Sequence, residues 1–185
     1  MVLPIVQYGN PVLRLRCREV ETVDDELRQL VDDMLETMRE ANGVGLAAPQ
    51  IGQDIRLAVI DVSHDPECVS YLRVNGTEAD LVSLMPLIFI NPDIQLGQKK
   101  EEDLEGCLSI QGIRADVRRP AEVKASLPQL DGSVLEIETD GLLARALQHE
   151  IDHLNGVLFT DRLPAVVKVS MKNRLKRLAE ENGFL

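Results

Sequence analysis

The stretch DGLLARALQHEIDHLNG, residues 140–156, decides how the rest of the chain is read. Leu142, Leu143, Ala146, Leu147, Ile151 and Leu154 cover most of a helix circumference. That spacing predicts a central helix buried on nearly all sides. Asp140-Gly141 opens it and Asn155-Gly156 stops it. His149 and His153 stand one turn apart on one face, where two imidazoles can hold a single ion. Glu150 lies beside the first of them and can exchange a proton with a water on that ion. An HExxH pattern also arises by chance on polar helix faces. Here, however, two of only three histidines in the chain fall in it, on a helix too apolar to bury unpaired imidazoles cheaply.

Two imidazoles do not complete a catalytic metal site, so a third ligand is needed. Phe159 stands where one large group of metallopeptidases places that ligand, and it cannot coordinate. Asp161 follows the helix-ending glycine, Glu180 and Glu181 lie on a polar helix end, and His64 sits in a polar segment. Cys107 lies in LEGCLSIQG, residues 104–112, just after the acidic run KKEEDLE. A buried free cysteine is more often simply packing. Spacing favours Cys107 and leaves the choice open.

The chain has 185 residues with 44% hydrophobic content, enough for one buried core, so residues 1–185 are read as a single domain. With three Phe, two Tyr and no Trp, the core must be aliphatic. A net charge of −11 argues against a dedicated DNA- or RNA-binding protein. Three scattered cysteines, Cys17, Cys68 and Cys107, make a poor disulfide framework and fit a reducing, cytoplasmic compartment. The N-terminal residues lack the apolar run of a signal peptide. The longest apolar stretch, LVSLMPLIFI from Leu81, is interrupted by Pro86 and too short to span a bilayer, so no membrane partner is expected.

Leu27, Leu30, Val31, Met34, Leu35, Met38 and Ala41 form a stripe that predicts a helix over 24–41. IRLAVIDV (55–62) and LIFIN (87–91) read as buried strands. The polar segment between them is expected to be irregular, with 63–86 a surface insertion. AEVKASL and SVLEIET flank Asp131-Gly132 as a hairpin. A last helix over 164–182 buries Val167, Met171, Leu175 and Leu178. Helices at both ends with strands between them suggest an α+β fold.

GVGLAAPQIG, residues 43–52, satisfies G-x-G-x-x-A, but a helix precedes it and Pro49 and a strand follow. A dinucleotide loop needs the opposite order. A tight helix-to-strand connection explains the glycines. It leaves Gln50 unexplained, a polar side chain in an apolar run that can donate to a developing oxyanion.

Taken in order and spacing, GVGLAAPQIG, EGCLS and QHEIDHLNG resemble the three motifs of the peptide deformylases. The likeness runs from PVLR near Pro11 to the LF at Phe159. It implies antiparallel sheets packed around the HExxH helix. It also implies an enzyme that removes the N-formyl group from the initiator methionine of nascent polypeptides, releasing formate. Cys107, His149 and His153 would bind one divalent ion, Fe(II) in most members, with Zn, Ni or Co able to substitute. Metal-bound hydroxide would attack the formyl carbon with Glu150 as general base, then acid. Gln50 and the Leu108 N–H would stabilise the oxyanion. Gly45 would lie beside the substrate backbone, Val44, Leu142 and Ala146 would line the methionine pocket, and Arg114 would contact the substrate. Gln111-Gly112 after EGCLS, and Arg145 one turn before His149, depart from the commonest pattern of many bacterial members.

From residue 161 onward there are six basic residues against three acidic, so the last helix is locally positive and suits a ribosomal surface as well as plain solvent. Two other readings stand beside deformylation. One is a zincin-type peptidase, for which EGCLS and GLAAPQ have no use. The other is a catalytically inactive, deformylase-like binding protein, against which Glu150, Gln50 and Cys107 together speak.

Overall fold

The structure, a computed structural model, describes residues 1–184. After a short 3-10 turn at Pro11–Arg14 comes helix α1 (Asp25–Glu40). Asp24 caps it, its side chain accepting from Leu27 N, and Asp25 and Glu26 in the first turn complement the helix dipole. Strands β1 (Gly45–Ala47), β2 (Leu57–Ile60), β3 (Leu72–Val74) and β4 (Thr77–Glu78) follow, then the one-turn helix α2 (Leu81–Leu84). Next are β5 (Leu87–Ile90), β6 (Asp93–Leu96), β7 (Lys100–Cys107), β8 (Ile110–Pro120), β9 (Glu122–Pro128) and β10 (Val134–Asp140). Helices α3 (Gly141–Leu154) and α4 (Ala165–Glu181) complete an α+β architecture in which the strand pairings are antiparallel, one isolated bridge between Arg18 and Ile55 apart. No helix of the described residues is long and apolar enough to cross a membrane.

The three-stranded sheet β1-β2-β5 is buried on both faces. Leu46, Leu57, Val59 and Ile90 point to Leu27, Val31, Met34 and Met38 of α1. Their neighbours Ala47, Ala58, Ile60 and Phe89 point to Leu143, Leu147 and Ile151 of α3. Alternation along each strand therefore feeds two apolar layers, which is why LAVI reads as an unbroken hydrophobic run. The five-stranded sheet β4-β3-β10-β9-β6 adds Leu72, Val123, Ala125, Leu127 and Ile137 to the α3 layer. Truncating a fully buried residue such as Leu57 to alanine costs about 2–5 kcal/mol.

The third unit is the two-stranded β7–β8 hairpin. Its buried row Ile113, Ala115 and Val117 packs with Leu13, Leu158 and Phe159 and with Val167, Met171, Leu175 and Leu178 of α4. Gly156 just past α3 takes φ +73°, and a Cβ there would press on the backbone oxygen of Arg14, so the residue must be glycine for the chain to pass.

Three sequence expectations change, and one strand appears where the sequence reading assigned no element. Residues 63–83 are irregular only in their first part, up to residue 71: β3 and β4 then form a hairpin, and β3 joins the large sheet beside β10, because Leu72 supplies a core side chain. The acidic run before Cys107 is strand β7, exposed over residues 100–104 but buried at Glu105, with its backbone paired to β8. GVGLAAPQIG is more than a connection, containing β1 and a 3-10 turn at Ala48–Ile51. The strand expected from Ile55 starts at Leu57, because Ile55 bridges to Arg18 instead.

Candidate functional site

A cavity of about 470 Å³ opens between β1, the β7–β8 hairpin and α3. Ten residues singled out from the sequence line it: Val44, Gly45, Gln50, Cys107, Leu108, Arg114, Leu142, Ala146, His149 and Glu150. The eleventh, His153, is buried behind Cys107, its Nε2 at 3.3 Å from Sγ. Cys107, His149 and His153 each offer a ligand atom, and these atoms lie within 4.8 Å of one another. The other candidates for a third ligand are elsewhere: Asp161 is paired with Arg14 at 2.5 Å, and Glu180 lies exposed on α4. A larger groove of about 630 Å³ beside α4 holds none of the eleven residues.

The trio is assembled from two elements. Helix α3 places His149 and His153 one turn apart, with ring centroids 5.0 Å apart. Strand β7 ends at Cys107, where the register against β8 shifts between Gly106, paired with Arg114, and Cys107, paired with Ile110. Arg114 pairs across from Gly106, and its Nε would lie 3.1 Å from a Cβ there, so the glycine makes room for the arginine.

Gln50 is 1% exposed, and both ends of its amide are oriented by hydrogen bonds. Ala47 N–H donates to its Oε1 at 2.9 Å, which sets the orientation of the amide. Its Nε2 is thereby turned to Cys107 Sγ at 3.4 Å and Ser109 Oγ at 3.2 Å. Leu108 lies on the turn between β7 and β8, its carbonyl accepting from Gln7 Nε2 at 3.1 Å.

Glu150 is 3% exposed, and its Oε2 has no hydrogen-bond partner. Burial pushes its carboxyl up to about 7, with the charges of Glu105 and Asp152 adding to the rise and His149 and Arg119 opposing it. A carboxyl in that range can both take and return a proton near neutrality. His153 is pushed well below the ordinary imidazole range by burial and by repulsion from His149, Arg119 and Arg14, with Glu105 opposing. For His149, burial is outweighed by Cys107, Glu105 and Glu150, which raise it.

A buried ionic network backs the trio. Glu105 Oε1 accepts from His149 Nδ1 at 2.9 Å and so orients the ring. Arg119 donates to Glu105 from Nε at 2.6 Å and Nη2 at 3.0 Å, and from Nη1 to Asp152 at 2.8 Å. Arg162 closes the far end on Asp152 at 2.7 Å. Burial alone would raise the Glu105 carboxyl, but His149 and Arg119 hold it down at about 2. Sequence reading missed this network. Its signal was available in β8, where the inward row Ile113, Ala115, Val117 continues into Arg119, a charge on a buried face.

The polypeptide deformylase family model matches residues 2–169. The peptide deformylase of Methylacidiphilum infernorum is 44% identical over 185 residues, covering 100% of this chain and 97% of that protein. That of Clostridium botulinum is 47% identical over 158 residues, covering 85% of this chain and 94% of its own length. Among solved structures, a plant peptide deformylase superposes with a TM-score of 0.81 at 36% identity, covering 97% of this chain and 90% of that one. The Synechococcus elongatus enzyme, solved in complex with actinonin, gives 0.77 at 40% identity, covering 99% and 87%.

Proposed function

This chain belongs to the polypeptide deformylase family and is a deformylase, and we propose that Glu150 is its general base and acid, beside one divalent ion held by Cys107, His149 and His153. What carries the reading is the convergence of three soft-to-borderline donor atoms within 4.8 Å, next to a buried carboxylate oxygen without a partner. The donors fit such an ion. Sγ of Cys107 and Nε2 of His153 lie 3.3 Å apart, a separation two unprotonated donors sustain only with a proton or cation against them. Thiolate and imidazole suit Fe(II), Zn, Ni and Co. The family resemblance favours Fe(II) as the resident ion.

When bound, the ion supplies Lewis acidity that makes a water nucleophilic near neutral pH and polarises the formyl oxygen. The protein's own groups do the rest. Glu150 takes the proton of the water that adds to the formyl carbon. The Gln50 amide and the Leu108 N–H donate to the oxygen as its charge develops. Glu150 then passes the proton to the departing amine, and formate leaves. Val44, Leu142 and Ala146 receive the methionine side chain. Gly45 and Arg114 hold the peptide backbone on the cavity floor. In this reading α3 is the central helix of the fold, since it carries the proton shuttle and two of three ligands and packs on both larger sheets.

The test is formate release from formyl-Met-Ala-Ser by anaerobically prepared Fe(II) enzyme, set beside cleavage of an internal peptide bond. Formate without internal cleavage is expected. Internal cleavage would point to the peptidase reading, and neither product to an inactive binding protein.

The enzyme meets its substrates on nascent chains in the cytoplasm, and α4 is read as a ribosome-facing helix. Lys168, Lys172, Arg174, Lys176 and Arg177 are exposed on it, with Val166 at 81% and Val169 at 74% exposure. Ribosome co-sedimentation should fall after truncation at Pro164. Unchanged co-sedimentation would remove this part of the reading.

A further inference from the structure

Arg145 stands on α3 one turn before His149, at the wall of the substrate cavity. Its guanidinium is committed elsewhere. Nη1 donates to Glu105 Oε2 at 2.7 Å and to the Val117 carbonyl at 2.8 Å, and Nη2 donates to the Glu101 carbonyl at 3.2 Å. Glu101 and Glu105 lie on β7 and Val117 on β8, so one side chain grips both strands of the hairpin. That hairpin carries Cys107, and α3 carries His149, Glu150 and His153.

Charge balance does not require this arginine. Glu105 and Asp152 already face Arg119 and Arg162, two carboxylates against two guanidiniums. Arg145 is a third cation, and two of its three bonds go to backbone carbonyls, which have no net charge to neutralise. Its contribution is therefore one of geometry: a planar fork reaches three acceptors on two strands, which an ammonium on a lysine stem does not.

We infer that Arg145 is a positioning residue that clamps the β7–β8 hairpin onto α3, keeping Cys107 in reach of His149 and His153. The inference rests on the metal reading above and deepens it.

The test compares Arg145→Met, which keeps the stem and loses all three bonds, with Arg145→Lys, which keeps the charge and one bond. Both are loaded with Co(II), and the rate of metal loss to a chelator is followed through the thiolate-to-cobalt absorption. The kcat and KM for formyl-Met-Ala-Ser are measured in parallel. The methionine variant is expected to lose metal about 10-fold faster than the parent, with kcat lowered more than KM is raised, and the lysine variant to fall between. Parental rates of metal loss in either variant would overturn the inference, even if the melting temperature drops, since a merely structural residue moves only the latter. If the parent enzyme itself releases no formate, the functional reading fails. If the parent is active and the variants hold metal as it does, this inference alone fails.

Discussion

The carboxylate of Glu150 occupies the space in which a side chain on Gly45 would begin. A Cβ built on Gly45 overlaps Glu150 Oε1 and lies 2.7 Å from its Cδ. Gly45 is not in the left-handed region, so its backbone tolerates alanine and only the carboxylate must move. Gly45→Ala should therefore fold normally and keep its metal, while kcat falls by about 10²-fold, the cost of a misplaced reacting group of roughly 1 Å. Circular dichroism, metal content and formate release check this. Unchanged turnover would separate Glu150 from the chemistry.

Glu150 itself is the sharper case. Glu150→Gln preserves shape and removes the base, so turnover should drop by about 10²–10⁴-fold. Metal content should hold, because Cys107, His149 and His153 are untouched. Near-normal deformylation in this variant, or in Glu150→Ala, would sink the proton-shuttle assignment.

Much of the candidate site was legible because several of its residues are close in sequence. The two histidines and Glu150 lie within five consecutive residues on a helix whose caps are written beside it. Gln50 and Cys107 stood out as polar or reactive side chains in apolar, glycine-punctuated runs. What stayed hidden was non-local. Glu105, Arg119 and Asp152 come from β7, β8 and α3, and only pairing and packing bring them together. The β7–β8 hairpin was missed for a related reason. Strand β7 is exposed over its first five residues, 100–104, so it lacks the apolar alternation that marks a half-buried strand. Backbone pairing, which sequence pattern does not report, makes it a strand.

The buried network makes a stability prediction. Glu105→Gln withdraws the charge that faces Arg119 and Arg145, whose side chains are 4% and 12% exposed. Stranding buried cations should destabilise the fold by about 3–5 kcal/mol. Adding Arg119→Met removes one stranded charge and leaves Asp152 its bond to Arg162, so the double variant should be more stable than the single. Urea unfolding of the parent, both single variants and the double variant measures the coupling. A double variant as weak as the sum of the singles would mean that Glu105 and Arg119 act independently.

The three cysteines should report metal, fold and pH separately. All are free, with Cys68 exposed, Cys107 half-buried in the trio and Cys17 buried. Burial pushes the Cys17 thiol up to about 11, the Asp54 charge adding to it and Arg56 opposing it. A thiol reagent at pH 8 should modify Cys68 quickly in the metal-loaded protein, Cys107 as well once a chelator has removed the ion, and Cys17 only on unfolding. The raised thiol also sets a sign. Between about 9 and about 11 the unfolded chain gives up a proton that the folded chain keeps, so stability falls as pH rises through that window. Cys17→Ala should flatten the alkaline limb of a melting-temperature profile. A profile as steep as the parent's would place that titration on another group, and rapid labelling of Cys107 in the loaded protein would remove it from the ligand set.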